Sequence, residues 1–337
     1  MNWKKFAPIG YGLLLLALIV APFLGAYPVF VMKLLCYTLF ASAFNLLLGY
    51  TGLLSFGHAA FLGGAAYVTG HVVKVWGATP EIGLLAGLLV GALLGLVMGF
   101  FAIRRQGIYA TMITLALAQM LYFACLQLKF TGGEDGLQGV PRGKLFGVLD
   151  LSSDMTMYYV CLIVVVVAFL LIVRTIHSPF GQVLKGIKEN EPRAISLGYD
   201  TNRFKLLAFV ISAAIAGLAG SLKTLVLGFA TLSDVHWSAS GHVVLMTLVG
   251  GLGTLSGPLV GSAVVVVLEN KIGDLGAFLA KVTTIDWFNT LGESVTIVTG
   301  LIFVVCVLAF RRGITGELIA WLERRRARVG AGGDAAH

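Results

Sequence analysis

The sequence predicts an all-α polytopic membrane protein of about ten helical segments, broken or re-entrant half-helices included. Three observations carry that class. The chain has 337 residues, 58% of them hydrophobic and 12% charged, with mean hydropathy +0.92; soluble domains are about a quarter charged. Apolar runs long enough to cross about 30 Å of hydrocarbon recur along the chain. The 43 glycines lie scattered through those runs, where small residues let helices approach closely.

Spans are expected at Ile9–Leu24, Val29–Leu48, Leu53–Val73, Ile82–Ile103, Tyr109–Leu128, Met155–Val173 and Leu206–Leu227, with less regular material at Val243–Leu268 and a last span at Ser294–Phe310. Met1-Asn2-Trp3-Lys4-Lys5 before an apolar run imitates a signal peptide. Further spans follow, so it is read as an uncleaved first helix. Gly91 is read as an ordinary span position. Cys36, Cys125, Cys161 and Cys306 sit inside apolar segments without CxxC spacing. They read as small buried hydrophobes, with neither disulfide nor metal expected.

The net charge of +8 does not imply nucleic acid, because Arg and Lys cluster at segment ends. Lys4-Lys5, Arg104-Arg105, the stretch Arg174–Lys205 and the tail from Arg311 read as cytoplasmic. Both termini are then cytoplasmic and Lys129–Asp154 is outside. This divides the chain into a permease domain, 1–310, carrying a cytoplasmic segment 174–205, and a basic tail, 311–337.

Treating Val243–Leu268 as one full span would put Arg311-Arg312 outside. Gly250-Gly251-Leu252-Gly253-Thr254-Leu255-Ser256-Gly257-Pro258 also resists a straight helix. Two half-helices, Val243–Val249 and Leu259–Leu268, are therefore expected to enter and leave on one side. Their non-helical link must be buried in protein or line a cavity. Gly49-Tyr50-Thr51-Gly52-Leu53-Leu54-Ser55-Phe56-Gly57 has the same G-x-x-G-x-L-S pattern, and paired breaks occur in the two halves of transporters.

The stretch Arg174–Lys205 is too polar to span and too patterned for a slack loop. Ser178-Pro179 offers a capping hydroxyl and a proline at the first helical position. Phe180, Val183, Leu184 and Ile187 then form one apolar stripe. A second short helix, Arg193–Leu197, starts after Glu191-Pro192 and stops at Gly198. Two readings fit: a helix resting on lipid headgroups, or a docking element that transmits force from a cytoplasmic partner.

Glu189-Asn190-Glu191-Pro192-Arg193-Ala194-Ile195-Ser196-Leu197-Gly198 with Arg203-Phe204-Lys205-Leu206 resembles the E-x-x-A…G coupling region of bacterial ABC importer permeases. More narrowly, it is similar to branched-chain amino-acid importer permeases of the LivM type. Asn45–Gly52 with Ser55–Phe61, Thr131-Gly132-Gly133 with Asp135-Gly136-Leu137, and Gly250–Pro258 agree in order. Pro192 departs from the commoner residue at its position, and urea and short-chain amide importers have similar permeases. The resemblance implies a type II ABC importer-like permease in the bacterial cytoplasmic (inner) membrane. Its partners would be a second, LivH-type permease, two ATPase subunits and a periplasmic binding protein. Glu189, Asn190, Glu191, Ala194 and Gly198 would face the ATPase.

No cofactor is expected. The nearest string to a phosphate loop, Gly139-Val140-Pro141-Arg142-Gly143-Lys144-Leu145, is one residue short and lacks the hydroxyl that ligates magnesium. No Ser-His-Asp, Cys-His or metal constellation points to an enzyme. Polar candidates for a pathway are Asn45, Ser55, His58, Thr114 and Gln119, with Gly253 and Ser256 of the break; the alternative for each is a helix–helix hydrogen bond. The rival reading is an ion-coupled secondary transporter, which needs a buried carboxylate or histidine relay. Glu269, Asp274, Asp286 and Glu293 all fall near expected segment ends.

Overall fold

The computed structural model describes residues 3–25, 27–105, 107–283, 300–301, 304 and 313–317. They form α1 (Trp3–Val20), α2 (Pro28–Thr51), α3 (His58–Lys74), α4 (Pro80–Ala102), α5 (Ile108–Gln127), α6 (Asp154–His177), α7 (Pro179–Glu189), α8 (Glu191–Ser196), α9 (Thr201–Leu227), α10 (Trp237–Gly250) and α11 (Gly257–Thr283). A hairpin of two short strands, β1 (Lys144–Leu145) and β2 (Leu149–Asp150), decorates the loop before α6. Helices α2, α4, α5, α6 and α9 are each long and apolar enough to cross a membrane. The protein is an all-α polytopic membrane protein.

Helix α9 is the centre of the bundle, packed by α2, α3 and α4. The α4 contact follows from a glycine at every fourth residue, since i and i+4 share a helix face. A Cβ at Gly91 would lie 2.6 Å from the Ala213 carbonyl oxygen and 3.0 Å from Gly217 Cα. Gly95 packs on Ala213 and Gly99 on Phe209. The opposite α4 face, with Leu85, Leu89 and Leu93, is exposed.

The bundle has two distinguishable ends. Helices α7 and α8 follow the last residue of α6, and the β-hairpin loop precedes its first; these are called the near end and the far end. At the far end Leu137 pairs with Ala230, and the Val140 amide donates to the Gly228 carbonyl.

Two expected elements differ. The span expected from Leu53 begins at His58, because Gly52 takes φ 75° and residues 52–57 leave the helix. Hydroxyls satisfy that backbone: Thr114 Oγ1 accepts from the Phe56 amide at 3.2 Å and Ser55 Oγ from the Gly57 amide at 3.2 Å. The second break is present, and its Gly253, at φ 73°, matches Gly52 in both motif position and conformation. Its flanks are not two halves, however. Helix α10 has 14 residues, but α11 has 27, about 40 Å at 1.5 Å per residue. The charges at Glu269 and Lys271 end the apolar window without ending the helix. The pair is a hairpin of one short and one full-length helix, and it does not turn back as two re-entrant halves.

The break also anchors part of the basic tail. Residues 313–317 form a helical turn in which Gly313 packs on Gly251, the buried Thr315 hydroxyl donates to the Gly250 carbonyl, and Thr315 and Thr254 hydroxyls lie 3.1 Å apart. The beginning of the tail therefore belongs to the bundle. Most of the expected span Ser294–Phe310, Cys306 and residues 318–337 lie outside the described residues.

Candidate functional site

The surface at the near end is built by α7 and α8. Ser178 Oγ accepts from the Gly181 amide and Pro179 opens α7, which ends at Glu189 as expected. Of its apolar stripe, Leu184 and Ile187 are buried in the protein, and Phe180 stacks on Phe204 at 5.6 Å. The stripe is satisfied by α2, α6 and α9, so the apolar face of α7 is taken up by the protein.

Asn190 terminates one helix and starts the next: its Oδ1 accepts from the Arg193 amide, 3.1 Å away, at the head of α8. A groove of about 460 Å³ lies between the two helices, lined by Glu189, Asn190, Arg193 and Ala194 among others. Glu191 is one of the residues expected to face an ATPase. Its carboxylate is engaged inside the chain by Lys205 Nζ at 2.5 Å, with the Lys205 side chain 5% exposed. Gly198, where the second short helix is expected to stop, takes φ 88° after α8, and nothing lies within 4 Å of where a Cβ would stand.

Two lysines of α7 clasp the end of α2. Lys188 Nζ donates to the Gly49 carbonyl at 2.7 Å, and Lys185 Nζ sits 5.7 Å from the Tyr50 ring centre. Gly49 in turn touches the second break. The Asn45 side chain donates to the Thr254 carbonyl and accepts from the Gly253 amide, both at 2.9 Å. Asn45, Gly253 and the α7 clasp thus form one connected cluster, and Ser256 lies on the same break.

Ser55 and Thr114 bond the first break, and His58 follows it as the first residue of α3. His58 is fully buried among Phe40, Phe44, Phe61 and Phe209. Its Nε2 lies 2.9 Å from Ser212 Oγ, whose hydroxyl donates to the Ala43 carbonyl at 2.6 Å. Ser212 therefore accepts, and Nε2 carries the proton. His58 bridges α3 to α9 in a closed aromatic box. Gln119 stands apart on α5, its Oε1 buried without a hydrogen-bond partner.

Sequence reasoning missed a deeply buried charged pair. Lys223 on α9 and Asp234, just before α10, form an ion pair with each side chain 8% exposed. The signal was an ionisable residue four positions inside the end of an expected span. Among the described residues no group of three His, Cys, Asp or Glu is arranged to hold a metal ion.

Three curated relatives match the chain. It is 27% identical over 240 residues to the high-affinity branched-chain amino acid transport system permease protein LivM of Escherichia coli, covering 63% of this chain and 55% of the relative. The LivM protein of Salmonella typhimurium is 28% identical over 244 residues, with the same coverages. A probable branched-chain amino acid transport permease protein LivM of Methanocaldococcus jannaschii is 25% identical over 176 residues, 49% of this chain and 50% of that one. The chain thus spans about half the length of the curated relatives it matches. No solved structure matches significantly. The family model for the permease component of branched-chain amino acid transport systems matches residues 29–307, a stretch that runs from α2 through both glycine breaks and the α7–α8 groove, and the chain belongs to that family of transport permeases, which is not known to be enzymatic.

Proposed function

We propose that this chain is the membrane permease subunit of an ATP-driven importer of branched-chain amino acids, working by alternating access. One observation carries the reading: the groove-bearing helix α7 is bonded through Lys188 to Gly49, and Gly49 lies between the two breaks. A push on α7 and α8 moves the end of α2, and through Asn45 the second break moves with it. Glycine breaks are where such a displacement changes backbone angles at least cost.

ATP is hydrolysed on two separate ATPase subunits docked at Glu189, Asn190, Ala194 and the groove around them. A second, LivH-type permease completes the pathway, and a periplasmic binding protein delivers cargo to the far end. The near end then faces the cytoplasm and the far end the periplasm of a bacterial inner membrane. The names of the relatives supply the cargo class. Permease, partner permease, ATPases and binding protein reconstituted in liposomes should take up leucine only with ATP. Uptake driven by an ion gradient without the ATPases would replace this reading with a secondary transporter.

A further inference from the structure

A cavity of about 380 Å³ lies toward the far end between α2, α3, α9 and the start of α10. That volume is within the range of about 300–1,000 Å³ of small-molecule sites. Its wall has three chemically distinct parts. Lys223 and Lys33 supply cationic groups, Asp234 supplies a carboxylate, and Phe40, Leu62 and Val243 form an apolar side. Ser233 is exposed at its rim. The Lys223 ammonium also lies 5.7 Å from the centre of the Tyr37 ring, and Asp234 Oδ2 accepts from the Thr231 amide at 3.4 Å.

A buried ion pair is weak evidence for stability. Replacing a buried ion pair by packed apolar side chains is often neutral or stabilising, and ionisable groups at membrane depth mark pathways. An α-amino acid carries the complementary set: a carboxylate and an ammonium on one carbon, with a side chain projecting away from both. Entering between Lys223 and Asp234, it would exchange one ion pair for two, so no charge is left uncompensated in the low-dielectric interior.

We propose that this cavity is a binding site for a zwitterionic α-amino acid, with the ligand carboxylate on Lys223, its ammonium on Asp234 and its apolar side chain against Phe40, Leu62 and Val243. The importer reading identifies that ligand as cargo; the chemistry of the site does not depend on it.

The test uses the full complex in liposomes, with the four native cysteines replaced and Ala239→Cys placed in the cavity wall. The rate of its modification by a small thiol reagent is measured with leucine, with isocaproate, which lacks the ammonium, and with isoamylamine, which lacks the carboxylate. Leucine should slow labelling several-fold and the two single-charge analogues should not. Lys223→Met should remove the protection and Lys223→Arg restore it. Should the Met variant fail to assemble, the three-ligand comparison still decides. Equal protection by all three compounds, or none by leucine in a complex that transports it, overturns the site. Protection by leucine without leucine transport upholds the site and overturns the cargo reading alone.

Discussion

Glu191 opens α8 and Gly198 follows it, and the two are constrained in different ways. Glu191 is held by Lys205, so Glu191→Lys sets two ammonium groups face to face before any partner is involved. Like charges there destabilise the α8–α9 junction, and loss of uptake in that variant alone does not report docking. The double reversal Glu191→Lys with Lys205→Glu separates the roles. If the pair is an internal brace, the reversal should recover most of the uptake lost in Glu191→Lys; no recovery would assign Glu191 to the ATPase contact instead. Gly198 has open space around it but a left-handed backbone. Gly198→Asn should therefore retain uptake, while Gly198→Val strains the backbone by roughly 1–2 kcal/mol. ATPase activity stimulated by the binding protein, measured beside uptake, checks this: equal coupling ratios in the two variants would remove the backbone argument.

At the scale of elements, the two breaks and α4 use glycine for opposite purposes. Gly253 needs its positive φ, and a Cβ there would lie 3.3 Å from the Gly49 carbonyl oxygen. Gly91 is not an ordinary span position, because it lets α4 touch the backbone of α9. Gly91→Leu should thus fail by overpacking, which costs about 1–3 kcal/mol, and lower the thermal stability of the purified complex. Gly253→Leu should impair uptake more than stability, and Gly12→Leu, with nothing within 4 Å of its Cβ position, should change neither. A Gly253 variant with full uptake would make the break mere packing. These cases also mark what the sequence could reveal. Helix α7 was legible to its bounds because a cap, a proline and an apolar stripe agree. The start of α3 was not, since Leu53 and Leu54 satisfy a hydropathy pattern while the backbone of residues 53–57 is held outside the helix, Leu53 and Leu54 by Thr51 and Thr111 hydroxyls and Phe56 and Gly57 by Thr114 and Ser55 hydroxyls. Lys223 and Asp234 escaped because their pairing depends on the descent of residues 228–236 into the bundle, which no local pattern encodes.

For the whole molecule, the observed α10–α11 hairpin removes the conflict in span counting. With α9 ending at the far end, residues 228–250 return to the near end, where Gly253 meets Asn45 and Thr315 meets Gly250. Helix α11 then leads away again, and the turn at 313–317 sits beside the near-end break, as the basic tail requires if that end is cytoplasmic. The proposed sidedness rests on charge: Lys185, Lys188, Arg193 and Arg203 gather around α7 and α8, while the far-end loop pairs Arg142 with Asp154 at 2.5 Å. Two exposed serines test this with minimal change of shape, Ser152 in the far-end loop and Ser196 at the end of α8. Ser152→Cys and Ser196→Cys, each in a chain without its native cysteines, should react from opposite sides with a membrane-impermeant thiol reagent. Ser152→Cys should label in intact cells and Ser196→Cys only after permeabilisation. The same side for both would refute the topology. The reverse assignment would keep the fold, move the α7–α8 groove away from any cytoplasmic ATPase, and leave the proposed coupling without a motor.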